Sequence, residues 1–90
     1  MEVIHDIVFA KALDDYKVAV TFDTGDSGIF DCTRYLDKPY WKPLNDKAFF
    51  NQVRVDYGTL VWPSEIDVGP EDVWEFADFI APEPVQEGGK

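Results

Sequence analysis

Apolar and polar side chains alternate most regularly between Tyr16 and Asp23. Tyr16, Val18, Val20 and Phe22 fall on one side and Lys17, Ala19, Thr21 and Asp23 on the other, the period of a half-buried strand. Before it, Val3 to Ala12 carries apolar residues on both alternating sets, as expected of a strand covered on both faces or bent across an edge. Leu13, Asp14 and Asp15 separate the two as a turn. Thr24, Gly25 and Asp26 form a short connection in which glycine can supply positive φ, and Ser27 to Cys32 returns antiparallel. A second hairpin follows from Val53, Val55 and Tyr57 alternating with Arg54 and Asp56, then Gly58, then Thr59 to Trp62.

Between the hairpins, from Thr33 to Asn51, the period is lost. Pro39 and Pro43 break any long element, while Tyr35, Leu36, Tyr40, Trp41 and Leu44 supply apolar mass, so a crossover over a sheet edge is expected. Thr33 is placed to cap one turn through Leu36. Asn45 or Asp46 is placed to cap another that buries Phe49 or Phe50.

The stretch from Trp62 to Ile80 carries the densest local signals. Pro63 ends the strand, and Ser64, Glu65, Ile66 and Asp67 read as a link. Pro70 suits a first helical residue, which makes Gly69 the N-cap, and Glu71 and Asp72 complement the helix dipole. Val68 and Val73 hold the positions of a hydrophobic staple. Val73, Phe76, Ala77 and Ile80 recur at helical spacing, and Ala81 before Pro82 is expected to stop the helix. Trp74 and Phe79 fall outside that stripe, either as the margin of a wide core face or as anchors for a partner.

The fold class expected is α+β: a small antiparallel sheet built from two hairpins plus an N-terminal strand, with a short helical crossover and one C-terminal helix. Residues 1–81 form a single domain, and residues 82–90, rich in Pro, Glu, Gln and Gly, are expected to be a disordered tail.

Charge changes the picture more than composition does. Eight Lys and Arg stand against eighteen Asp and Glu, a formal net charge of −10. Such a field repels nucleic acid and anionic lipid and favours encounters with basic partners, although charge of this kind also serves solubility alone. No apolar run is long enough to span a bilayer and no secretory leader opens the chain, so a cytoplasmic protein is expected. The single cysteine, Cys32, excludes an internal disulfide.

Candidate chemistry is sparse. His5 is the only histidine, and it reads as a structural or surface residue rather than a metal ligand. Cys32 stands beside Asp31, with no group in sequence reach to lower its pKa. The Asp23 to Ser27 loop fails the calcium-loop pattern, because Gly25 and Arg34 occupy positions that need carboxylates. Neither a phosphate loop nor a zinc-protease helix occurs. The expectation is no catalysis, no cofactor and no metal.

The order of features nonetheless resembles a bacterial family, domain of unknown function 2442. The matching pieces are the strand Tyr16 to Phe22, the Phe30–Asp31 pair, Leu44 with Asp46, Phe49 and Val53, the hairpin at Gly58, and above all Trp62, Pro63, Asp67, Val68, Pro70 and Glu71. The resemblance implies a small α+β unit without established catalytic residues. It also implies a gene beside that of another small protein, the two read as toxin and antitoxin. Some members carry a helix-turn-helix module after the domain; the sequence as given ends at Lys90, and no DNA-binding role is carried over. Charge and gene pairing together suggest a module that binds and neutralises a small basic protein, with Trp62, Asp67 and Trp74 near the functional face. A self-associating homo-oligomeric structural domain is the rival expectation.

Overall fold

A computed structural model describes residues 5–80. Val3, Ile4 and the expected 82–90 tail lie outside the described residues. The architecture is α+β, with seven strands among the described residues in two antiparallel sheets and short helical segments between them.

The first sheet begins with β1 (Ile7–Leu13) and β2 (Lys17–Phe22), followed by β3 (Ser27–Asp31). Val18, Val20 and Phe22 are buried and alternate with half-exposed Lys17, Ala19 and Thr21, as the sequence period requires. Tyr16 is not part of the strand. It sits in the turn at φ 60°, beside Asp15 at φ 62°, its hydroxyl donating to the Asn45 carbonyl at 2.6 Å and its ring edge against Phe50. At the other end of β2, Gly25 takes φ 92° and closes the hairpin.

The crossover is a chain of single turns. Thr33 is the first residue of the first turn, Thr33–Tyr35, and Cys32 rather than Thr33 is its cap; the Asp31 carboxylate accepts the Thr33 N–H at 2.9 Å and the Thr33 hydroxyl at 2.7 Å. A 3-10 segment, Pro39–Asn45, follows. Asp46 then caps α1 (Lys47–Phe50) by accepting the Ala48 N–H at 3.0 Å, and Phe50 is buried.

The second sheet holds β4 (Arg54–Asp56), β5 (Thr59–Trp62) and β6 (Ile66–Val68). Tyr57 and Gly58 both take positive φ, the tight hairpin pattern that matches strand twist. β6 replaces the expected link. Ser64 and Glu65, at φ 67° and 62°, turn the chain straight back, so that Ile66 pairs with Trp62 and Val68 with Leu60.

The C-terminal helix is shorter than its apolar spacing predicts. α2 spans Pro70–Phe76, and Ala77 is already extended at ψ 145°. The chain continues as β7 (Asp78–Phe79) along the free edge of β3, with Gly28 opposite Phe79 and Ile29 opposite Asp78. Two causes favour the strand over a longer helix. β3 has open backbone groups to satisfy, and Gly28 lets the new strand come close, since a Cβ there would lie 2.9 Å from the Asp78 carbonyl oxygen. Of the predicted stripe only Val73 is buried; Phe76 and Ile80 are 44% and 62% exposed. The staple forms as expected, with Val68 and Val73 both buried.

One core joins both sheets. Ile7, Val18, Val20, Phe22 and Phe30 meet Leu60, Trp62, Ile66 and Val68, with Leu44, Phe50 and Val73 closing the sides. The sheets are also tied at the backbone, where the Ile7 N–H donates to the Gly58 carbonyl at 3.1 Å.

Candidate functional site

The three residues singled out from the sequence lie in three different settings. Trp62 is 1% exposed, its indole N–H donating to the Phe50 carbonyl at 2.9 Å. It is a core residue and presents no surface to a partner, because β5 turns its Leu60 and Trp62 side inward.

Asp67 is exposed on β6 and helps to fasten the crossover to that strand. Its carbonyl accepts the Trp41 indole N–H at 3.0 Å. Its carboxylate takes a long contact from the Tyr40 hydroxyl at 3.4 Å, the same hydroxyl donating to the Glu65 carbonyl at 2.8 Å. Tyr40 and Trp41 thereby cover part of an edge strand that would otherwise be open to another chain.

Trp74 is the centre of a surface cluster. It is 36% exposed, yet three rings hold it: Phe22 edge-on at 4.9 Å, His5 at 4.5 Å and Phe79 at 5.0 Å between ring centroids. Phe79 is 40% exposed. His5 lies 3.8 Å from the Asp23 carboxylate. Neither His5 nor Phe22 is marked as a neighbour of Trp74 by sequence spacing, since the residues before β1, the end of β2 and α2 meet only in the folded chain. Phe79 had a visible signal, an aromatic outside the apolar stripe.

The segment of chain that carries Trp74 is acidic. Between Pro63 and Ile80 the chain holds Glu65, Asp67, Glu71, Asp72, Glu75 and Asp78 and no Lys or Arg. Arg34 reaches this segment from the crossover, its guanidinium 3.9 Å from the centroid of the Phe76 ring, a cation–π contact.

Burial and hydrogen bonding shift two neighbouring titratable groups, Cys32 and Asp31. Cys32 is fully buried, and burial first, then the charge of Asp31, pushes its thiol up to about 12. At neutral pH it carries no thiolate, the form that attacks or binds metal. The Asp31 carboxyl is held below its ordinary value by the Thr33 N–H and hydroxyl, with Lys17 and Arg34 adding to the effect. Among the described residues no group of three or more His, Cys, Asp or Glu is arranged to hold a metal ion, and no helix is long and apolar enough to cross a membrane.

Fold and surface together define an acidic two-sheet α+β domain with a half-exposed, ring-fastened aromatic cluster. The chain belongs to the family described as "Protein of unknown function (DUF2442)", whose model matches residues 7–78. No curated protein and no solved structure matches it.

Proposed function

We propose that this chain is a bacterial cytoplasmic, non-catalytic protein-binding module, the antitoxin-like half of a pair, which neutralises a small basic partner. The observation that carries the reading is Trp74. An aromatic residue that is half in solvent but already fixed by Phe22, His5 and Phe79 loses little freedom on binding. The acids of α2 beside it, Glu71, Asp72 and Glu75, complement a cationic surface and speed encounter. Asp67 lies outside the ring contacts of Trp74, and its role in this reading is to add charge. The gene pairing implied by the family resemblance supplies the antitoxin element.

The test is parallel affinity capture from host lysate with the wild-type chain and Trp74→Ala, at low and high salt. One small basic protein should be retained by the wild type, in part even at high salt, and lost from the variant. Its growth inhibition should be relieved by co-expression of the wild-type chain alone. Retention of the same proteins by both chains, or of a salt-labile crowd of basic proteins only, would defeat the proposal.

A further inference from the structure

The first sheet has a second face, turned away from the core. Cross-strand partners share a face, and the ladder therefore lays out this surface in rows. One row runs Phe9, Thr21, Ser27, and is extended by Ile80, whose N–H donates to the Ser27 carbonyl at 2.9 Å. The next runs Lys11, Ala19, Ile29, Asp78, and a third contains Lys17 and Asp31. Phe9 and Ile80 are 52% and 62% exposed, Ala19 and Ile29 are half-buried, and none of the four packs on the core cluster.

The order within the rows identifies the occupant. Cations stand on β1 and β2, and the acids stand on β7 and β3. We propose that this face pairs with the same face of a second copy, forming a two-sheet sandwich about a two-fold axis that runs along the strands between β2 and β3. That axis lays β1 over β7 of the second copy and β2 over its β3, and keeps each row in register. Lys11 then meets Asp78, Lys17 meets Asp31, small Ala19 meets Ile29, and Phe9 meets Ile80, each contact occurring twice by symmetry. The other in-plane axis, across the strands, sets Lys11 on Lys11 and Asp78 on Asp78; charge excludes it. With strands about 4.8 Å apart and about 3.4 Å per residue, the face is roughly 19 by 17 Å. Two such faces give on the order of 650 Å² buried in total, below the range of stable specific interfaces, so the pair is a weak, concentration-dependent dimer.

The experiment is sedimentation equilibrium of the full chain, up to about 1 mM, where weak pairs of this size populate. Lys11→Asp and Asp78→Lys should each weaken dimerisation by roughly tenfold or more, since each places two like-charge pairs in one interface. The double variant K11D/D78K restores both pairs with reversed polarity and should return to within about threefold of wild type. Net charge alone predicts something different, because D78K lowers the repulsion between copies and would then associate more tightly than wild type. Ile29→Glu should abolish the dimer with an unchanged far-ultraviolet spectrum, and Trp74→Ala, on the other side of the sheet, should leave it intact. A chain that stays monomeric throughout overturns the proposal. So does a dimer indifferent to Lys11, Asp78 and Ile29, or no rescue in the double variant.

Discussion

Tyr57 sits at the tip of the β4–β5 hairpin, 95% exposed, with its backbone at φ 51°. A left-handed conformation is disfavoured for a bulky side chain, and the ring makes no packing contact that offsets it. Asn followed by Gly is the pair such a turn prefers. Tyr57→Asn should therefore stabilise the fold by about 1 kcal/mol, raising Tm by roughly 4–8 °C for a domain of this size; a lowered Tm in thermal circular dichroism would show that the ring contributes to the folded state. Cys32 gives a pH dependence of defined sign. Its folded value is about 12 against an ordinary 9.0, so the unfolded chain releases the proton first. The associated stability is present below pH 9 and is lost as pH rises from there towards 12. Urea midpoints measured from about pH 7 to about pH 10.5 should fall more steeply for the wild type than for Cys32→Ala, once other groups common to both chains are subtracted. His5 and Cys32 could be read as single residues, because what they can do depends on side-chain chemistry. The strain at Tyr57 could not, since φ is imposed by the register of the two strands.

Among the elements, the two hairpins follow from spacing and turn residues alone, whereas the cap of the second crossover turn was open between Asn45 and Asp46 until the structure selected Asp46. β6 did not stand out because an Ile-Asp-Val triplet is too short for its alternation to register, and because Ser64 and Glu65 are poor residues for the left-handed turn they make. The boundary of α2 failed for a different reason. Val73, Phe76, Ala77 and Ile80 have helical spacing, but β3 offers the chain after Phe76 a ladder to join, and Gly28 makes room for it. Gly28→Ala should force β7 off the edge, costing about 1–3 kcal/mol. The accompanying sign should be a red shift in tryptophan emission, as Phe79 leaves Trp74; an unshifted spectrum with unchanged stability would mean that β7 does not depend on the glycine.

Across the whole molecule, repulsion outweighs pairing. The chain carries a net charge of −10, while the ion pairs among the described residues are Arg54 with Asp56 at 3.6 Å and the His5–Asp23 contact, all partly exposed. Exposed pairs of this kind contribute little. Raising NaCl from about 0.02 to about 0.3 M should therefore stabilise the fold, as screening removes more repulsion than attraction. A lower urea midpoint at the higher salt would show that attractive pairs dominate. The proposed basic partner and the proposed second copy use opposite sides of the first sheet, so Trp74→Ala and Ile29→Glu separate the two readings within one molecule.

Residues no more than five apart were enough to settle the α+β class, the strand periods, the glycine hairpins, the Pro70 helix start and the Val68–Val73 staple, because each depends on neighbours along the chain. The inward placing of Trp62, the third strand of the second sheet, the switch from α2 to β7 and the His5–Phe22–Phe79 setting of Trp74 were decided by tertiary structure. Each depends on which distant backbone or ring lies opposite, and local periodicity carries no information about that.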